Sequence, residues 1–435
     1  MKIILMCVLL GMAGPVAADY GDAMAAMRLD EQQAKALDGY LTADEADLAS
    51  NDPLDALLAA NERAIELFIQ ASTAANSGYM FGPKPEKLSV SMPAIKYGDH
   101  IKLFRLLLID ARVKSESGFL AEAERDLLGA AGFMLQVSGQ KTNAVLSTLV
   151  HTLCLQKAFP LISGSIRGNS ASPAYLNAMS AVLARNYAAM DSMRAALTEE
   201  GEIMKVTIRE AINPVTAERE SAKVPFYRRF AVRKLQDEEF FNMVYARYDA
   251  AADARTQAFI RAFADNDPAP ADAFVEKQIA ELAAKGKDPK PLGFMDGLKI
   301  GLTGGGEAKA RMADAIVYSM TAAGVPQYGK LVARYHVSYS MLGVLRTALA
   351  VKATQRRARN RLPAGLENLV PDYIAALPKD PFNKFAPFTY LKSGKRFAVY
   401  GYGPDGADGK AARQMDFKAF DENQANCAGD IVYAE

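Results

Sequence analysis

Three histidines, His100, His151 and His336, are all that this 435-residue chain offers for imidazole metal binding or for proton transfer near neutral pH. His151 and Cys154 lie three apart and could share a helix face. No second pair completes a four-ligand site, however, and the His-Glu-x-x-His zinc pattern is absent. His336, within Arg334-Tyr335-His336-Val337-Ser338-Tyr339, reads as a packed helix residue, and so does His151. A Gly-x-Ser-x-Gly elbow is missing; Ile162-Ser163-Gly164-Ser165-Ile166 has its glycine and serines in the wrong frame. Gly304-Gly305-Gly306 lacks the Lys-Ser or Lys-Thr of a phosphate loop and reads as a loop tip. The adjacent carboxylates Glu199-Glu200 and Glu238-Glu239 face apart on a helix, as on any solvated face. These motifs name no catalytic residue and no organic cofactor. The enzymatic alternative is a carbohydrate-active enzyme acting in a cleft of a helical body. It requires two carboxylates about 5–9 Å apart beside exposed aromatics.

The elements that would position such groups begin after an export signal. Lys2, the apolar run Ile3 to Met12 and the small residues Val16-Ala17-Ala18 predict a signal peptide over 1–18, cleaved before Asp19. The run is shorter than the roughly 20 apolar residues of a membrane span. Cys7 lies inside it, which argues against a lipoprotein cysteine. Removing 1–18 takes away one base, Lys2, so the 51 Lys and Arg fall to 50 against 50 Asp and Glu. A chain near zero net charge is a poor polyanion binder, so nucleic acid is not an expected partner. No later stretch is apolar enough to be a transmembrane helix. The expected location is periplasmic or secreted. Two cysteines remain, Cys154 in an apolar helical run and Cys427 in a polar tail, too few for a disulfide scaffold.

From Asp19 to about Ala350 the composition is helical. Expected helices run over Asp30–Tyr40, Pro53–Ala71, His100–Gly118, Phe119–Gln136, Asn143–Ala158 and Pro173–Met193. The fourth places Leu120, Ala123, Leu127, Leu128, Ala131 and Leu135 on an apolar stripe, and Gly118 makes it an antiparallel hairpin with the third. Loops are expected over Ser77–Gly98, Asp265–Asp272 and Lys285–Gly306, with a break at Asn213-Pro214. Val224–Phe263 interleaves aromatics (Phe226, Tyr227, Phe230, Phe240, Phe241, Tyr245, Tyr248) with Arg228, Arg229, Arg233 and Lys234, and reads as core edged by snorkelling bases. Pro326 then starts a long helix, Gln327 to about Arg359, with an apolar side through Leu331, Tyr335, Tyr339, Leu342, Leu345 and Leu349 and a basic C-terminal end. Such a helix is expected to pack on both the body and the tail.

After it come Leu362-Pro363, a short helix to Leu369-Val370, the turn Leu377-Pro378-Lys379-Asp380-Pro381-Phe382, and the strand-like runs Phe388-Thr389-Tyr390 and Arg396–Tyr400. Lys392-Ser393-Gly394-Lys395 suits a hairpin, and Gly403-Pro404-Asp405-Gly406-Ala407-Asp408-Gly409 an oxygen-rich turn. This order of pieces, about 90 residues, resembles the globular end of the type II secretion major pseudopilin. In that family the loop after the last strand holds calcium. The resemblance implies Asp405, Asp408 and Asp430 as candidate calcium ligands, with Leu362, Pro363, Leu377, Pro378, Asp380, Pro381, Phe382, Tyr400 and Gly403 as its structural motif. Calcium favours hard oxygen ligands, which these supply. The chain departs from a pilin subunit upstream, where an ordinary signal peptide and some 320 largely helical residues precede the corresponding helix.

The expected fold class is α+β: a mostly α-helical bundle or irregular helical array with a small C-terminal antiparallel β module that is pseudopilin-like. The expected organisation is 1–18 signal peptide, 19–325 helical domain with a subdomain break near 195–225, and 326–435 long helix plus module. The expected function is that of a non-enzymatic, exported scaffold that binds a protein partner in the cell envelope. A structural, calcium-stabilised envelope protein is a further alternative.

Overall fold

The computed structural model describes residues 19–43, 52–74, 97–139, 144–167, 170–191, 195, 197–199, 201–202, 205–206, 209, 237–267, 269–286, 306–323, 328–422 and 427–435. The expected signal peptide, the proline-rich loop as far as residue 96, the break at Asn213-Pro214, the aromatic and basic residues of 224–236, and Gly304-Gly305 lie outside them. What is described is a mostly α-helical body followed by a small antiparallel β region.

Local chemistry sets the helix ends. Capping boxes, Asp19 with Asp22 and Asp30 with Gln33, start α1 (Tyr20–Ala26) and α2 (Glu31–Thr42). After α3 (Asp52–Thr73) come α4 (Tyr97–Glu116) and α5 (Leu120–Ser138), the expected hairpin. Gly118, at φ 83°, takes the left-handed turn, and the Phe119 N–H donates back to the Lys114 carbonyl at 2.8 Å. The helix α6 (Ala144–Ile166) passes through Pro160 and runs beyond the Ala158 end expected for it. Its apolar contacts on either side of the proline (Leu155, Ala158, Phe159, Ile162, Ile166) are buried and outweigh the lost hydrogen bond. Ser172 caps α7 (Pro173–Asp191) through Tyr175 N–H at 3.1 Å.

The next three helices, α8 (Glu238–Asp265), α9 (Ala269–Gly286) and α10 (Gly306–Ala323), pack on one another. The loop expected over Asp265–Asp272 is therefore shorter than the sequence implied: Asn266 at φ 51° ends α8 and α9 begins at Ala269. Phe240, Phe241, Val244 and Tyr248 of α8 meet Ala313 and Val317 of α10 in a small separate core. Farther along α8, Phe259, Ile260 and Phe263 belong to the main core.

The long helix α11 (Tyr328–Arg357) organises the rest. It packs on α6, α7, α8 and α9 of the body and on β1 (Lys379–Asp380), β4 (Arg396–Gly401), β5 (Ile431–Ala434) and the 3-10 turn Leu366–Leu369 of the tail. One core cluster consequently runs from Tyr20 to Tyr433. Its surroundings are closer than a single apolar side implied: Ser338, Ser340, Thr347, Lys352 and Gln355 are buried too. Most of these polar groups have partners. Ser338 donates to Thr152 Oγ1 (2.9 Å), Tyr335 to the Met190 carbonyl (2.9 Å) and Gln355 to the Lys395 carbonyl (3.2 Å).

In the tail, β1 pairs with β2 (Ala386–Pro387), and β3 (Thr389–Ser393), β4 and β5 form one antiparallel sheet in that order. Gly394, at φ 63°, turns the β3–β4 hairpin with Ser393 opposite Arg396. The third strand was not foreseen: Val399 faces Tyr433, so Ile431 continues from the acidic loop into the sheet. A short α12 (Phe417–Glu422) precedes it. Phe388 docks the sheet on α11. Its ring lies where a Cβ on Gly343 of α11 or on Gly401 of β4 would stand, so both positions require glycine for close approach.

Lys352, 2 % exposed, forms an ion pair with the Glu435 side chain, 9 % exposed, and this ties the end of the sheet to α11. Removing one partner strands the other charge indoors. Lys352→Met is expected to lower unfolding free energy by about 3–5 kcal/mol, and adding Glu435→Gln to restore a large part of it. Urea denaturation of the single and double variants measures this; additive losses would contradict the pairing.

Candidate functional site

The implied calcium ligands do come together, on the loop between β4 and β5, but their oxygens face the backbone. Asp430 is buried; its Oδ1 accepts from Gly409 N–H (3.2 Å) and its Oδ2 from Ala411 N–H (2.8 Å). Asp405 accepts from Ala407 N–H (3.1 Å) and Gly429 N–H (3.3 Å). Asp408 accepts from Lys410 N–H (2.9 Å) and Tyr400 O–H (3.0 Å). Lys410 and Ala411 are both left-handed, at φ 55° and 58°, which turns successive N–H groups onto carboxylates in the manner of an anion nest. Backbone donation holds the Asp408 carboxyl below its ordinary range, while burial pushes Asp430 up. Among the described residues no group of three or more His, Cys, Asp or Glu side chains is placed to hold a metal ion. This donor set fits a loop closed by its own amides better than one closed by a cation.

The motif residues form the joint between tail and body. Asp380 is buried, and its carboxylate accepts from Phe382 N–H (3.0 Å) and Tyr402 N–H (2.8 Å), pinning the turn to the end of β4. Burial pushes its pKa up to about 6, against those two bonds. The Pro381 carbonyl accepts from Asn266 of α8 (3.0 Å), and the Phe382 ring meets His336 edge-on at 6.4 Å. Leu362 and Leu377 pack on the core, and Pro378 lies beside Gly343. The Pro363 carbonyl accepts from Lys392 Nζ (3.3 Å), and a Cβ on Gly403 would strike the Gly429 carbonyl.

The three histidines are all buried packing residues. His151 Nε2 lies 3.2 Å from Asn186 Oδ1. The Asn186 amide nitrogen already donates to the Ala131 and Val182 carbonyls (3.1 and 3.0 Å), so its oxygen must accept and His151 must carry its proton on Nε2. Burial pulls its pKa down to about 4, and that of His336 to about 3. Neither is poised as a base at neutral pH. Cys154 and Cys427 are buried and unpaired.

Two clefts bear on enzymatic or binding chemistry. The first, between α3, α4 and α5, is lined by Glu62, Glu66, Asp110, Lys114 and Arg125. Lys114 Nζ bridges Asp110 (2.6 Å) and the buried Asp126 (2.7 Å), and Arg125 reaches Glu66 (3.0 Å). Burial raises the Asp126 carboxyl even against Lys114. The carboxylates are close, but Glu66, Asp110 and Asp126 each have a cation on them, and no aromatic lines the cleft among the described residues. It is an ion-pair knot binding three helices together.

The second is a groove of about 180 Å³ between the start of α5 and the end of α6. Its walls include Leu120, Ala123 and Leu127 on one side and Pro160, Leu161 and Gly164 on the other. Its polar groups are internally engaged. Arg112 donates to Glu116 (2.8 Å) and to the carbonyls of Tyr40, Leu41 and Ala43; Glu124 accepts both the N–H and hydroxyl of Ser172 (2.6 and 2.7 Å). At the lip Phe119 is 59 % exposed and Leu120 40 %. Leu120, expected on the buried stripe, is thus a correction: the first turn of α5 projects past α6. The sequence carries a faint signal, an aromatic directly after the Ser117-Gly118 break.

No protein-family profile, curated protein or solved structure matches this chain.

Two outcomes follow. Asp430→Asn sets an amide nitrogen against one of the two N–H donors, Gly409 or Ala411, and is expected to cost about 1–3 kcal/mol, while a calcium chelator leaves the wild-type melting temperature unchanged. A chelator-dependent fall, read by calorimetry, would restore the metal. For His151 the folded pKa lies below the ordinary 6.5, so its contribution is intact above pH 6.5 and is lost as pH falls towards 4, up to about 3 kcal/mol. Asp380, raised to about 6, acts oppositely and favours the fold as pH falls through 6. Urea midpoints at pH 7 and 4.5 are expected to show a smaller acid loss in His151→Gln than in wild type.

Proposed function

We propose that this protein is a non-enzymatic scaffold of the cell envelope, periplasmic or secreted, that works by binding another protein. The observation that carries the reading is the groove between α5 and α6. Its charged groups are satisfied within the chain, while two large apolar side chains stand uncovered at its edge. Aromatic anchors beside well-packed pockets are where protein interfaces concentrate their binding energy. In the charged cleft, by contrast, Lys114 is held between Asp110 and Asp126 and Arg125 sits on Glu66, and the histidines are sealed in packing.

The location rests on Lys2, the apolar run and Val16-Ala17-Ala18. No described helix is long and apolar enough to cross a membrane. A role beside a secretion apparatus rests on the sequence of the tail, whose order of pieces from Leu362 to Gly409 resembles that of a pseudopilin's globular end. This is a fold-level warrant.

Quantitative affinity capture from the envelope fraction, comparing wild type with Phe119→Ser, tests the reading. The expected result is at least one envelope protein enriched by wild type and lost, about 10-fold or more, with the variant. Equal recovery with both proteins, together with turnover of envelope glycans by the purified protein, would overturn it in favour of the carbohydrate-active alternative.

A further inference from the structure

The acids and bases of this chain nearly balance, yet they are not evenly mixed. No Asp or Glu stands between Asp314 and Glu367, nor between Asp380 and Asp405, and both stretches are rich in Lys and Arg. The fold joins the basic ends of these stretches. Arg357 closes α11, and Arg359 and Arg361 follow it in a turn held by the Asn360 N–H on the Gln355 carbonyl (2.7 Å). Gln355 also donates to the carbonyl of Lys395 at the β3–β4 turn (3.2 Å), and Lys392 Nζ reaches the Ala364 carbonyl (2.8 Å). Arg357, Arg359, Arg361, Lys392, Lys395 and Arg396 are all exposed, and none belongs to a described ion pair. Glu367 is folded back over Gly365, Glu435 is held indoors by Lys352, and the acidic loop begins at the opposite end of β4. A chain of near-zero net charge thus carries a strongly positive field at one end of its tail.

The surface around these charges suits a plane rather than a groove. Its parts are a helix end and a hairpin tip, and nothing lies within 4 Å of a Cβ on Gly394 at that tip. The β3–β4 register sets Leu391 opposite Ala398 and Ser393 opposite Arg396, so Leu391 and Arg396 share the outer face of the hairpin. Leu391 is 42 % exposed there. The rings of Tyr390 and Phe397 lie on the other face, 6.1 Å apart, and the Tyr390 hydroxyl donates to the Pro363 carbonyl (3.4 Å). Tyr400 is buried. The hairpin therefore offers no free ring for the base stacking by which single-stranded nucleic acid is held. Protruding bases beside an exposed apolar side chain match an anionic bilayer instead, the charges meeting headgroups and the leucine entering the boundary beneath them.

We propose that the tail docks on an anionic phospholipid bilayer through Arg357, Arg359, Arg361, Lys392, Lys395 and Arg396, with Leu391 as its apolar contact. The contact is peripheral and uses none of the residues of the α5–α6 groove, so it goes beyond the scaffold reading and does not depend on it.

Flotation of the full exported chain with lipid vesicles tests it. The probes are vesicles of phosphatidylethanolamine with about a quarter phosphatidylglycerol, and vesicles of phosphatidylcholine alone. Binding is expected to the first and not to the second, and to fall at least about 10-fold between about 50 and 300 mM salt. A base near an anionic surface contributes about 5-fold in affinity. Arg359→Asn with Arg361→Gln is therefore expected to lose about 25-fold, and Lys395→Gln with Arg396→Gln as much, both at unchanged circular dichroism. Asn suits position 359 because φ there is 54°. Leu391→Ser is expected to weaken binding and to leave its salt dependence as in wild type. Lys35→Gln with Lys277→Gln, two exposed bases of α2 and α9, is expected to bind as wild type does. So is Phe119→Ser, which lets vesicle binding and envelope-protein capture succeed or fail separately. No binding to anionic vesicles at low salt, equal binding to both kinds, or indifference to both arginine- and lysine-bearing double variants overturns the proposal. If vesicles are not bound but a single-stranded oligonucleotide or an acidic envelope protein is, and is lost with the same variants, the patch belongs to that partner and the proposal falls.

Discussion

A helix enclosed on every side is the constraint from which this structure follows. Residues 331–355 of α11 carry hydroxyls, an amide and an ammonium as well as leucines, and most of them are indoors. Apolar contact alone would allow the helix to slide or rotate by a turn at small cost. The fixed pairs do not: Tyr335 with the Met190 carbonyl, Ser338 with Thr152, Lys352 with Glu435. A buried polar group without its partner costs about 1–3 kcal/mol, so each pair penalises wrong registers more than it rewards the right one. Body and tail are joined because both supply those partners.

The same logic separates the two kinds of charged site. Where carboxylates and bases meet in the body, as in the Asp110–Lys114–Asp126 bridge, the charges fix helix against helix. Where carboxylates gather in the tail, backbone amides meet them, and Asp380 and Asp430 organise loops that have little regular secondary structure. Asp126, Asp380 and Asp430 are all buried at the centre of these arrangements. Among the described residues the most exposed large apolar side chain, Phe119, stands at the α4–α5 turn.

Much of the architecture is legible in the residues. The α4–α5 hairpin shows in its 3.6-residue stripes and Gly118, the long helix in its apolar row, and the β3–β4 hairpin in Tyr390, Phe397 and Val399 about Gly394. What was not legible depends on distance along the chain. Ile431-Val432-Tyr433 is too short a run to announce a strand, and its partner lies some thirty residues earlier. Gly343 looks like a blemish in a helix until Phe388 arrives against it. The fate of Leu120 depended on how far α6 extends, which Pro160 misrepresents. The acidic loop was legible as a cluster, whereas the direction of its oxygens required the left-handed turn at Lys410 and Ala411.

The helix α8 has 28 residues, about 42 Å at 1.5 Å per residue, and belongs to two cores at once. Among the described residues its first half shares a cluster of seven buried side chains with α10, with further polar contacts from Lys205, Arg209 and Gln278, and its second half belongs to the main core. The small cluster is rimmed by ion pairs, Lys309 with Asp237 and Arg247 with Asp314, and its described members are far fewer than those of the main core. Amide exchange along this one helix should therefore fall into two tiers, fast from Phe240 to Ala252 and slow from Phe259 to Phe263. The continuous backbone between them makes α8 a boundary between cooperative units, where partial opening of the chain begins without disturbing the joint at α11.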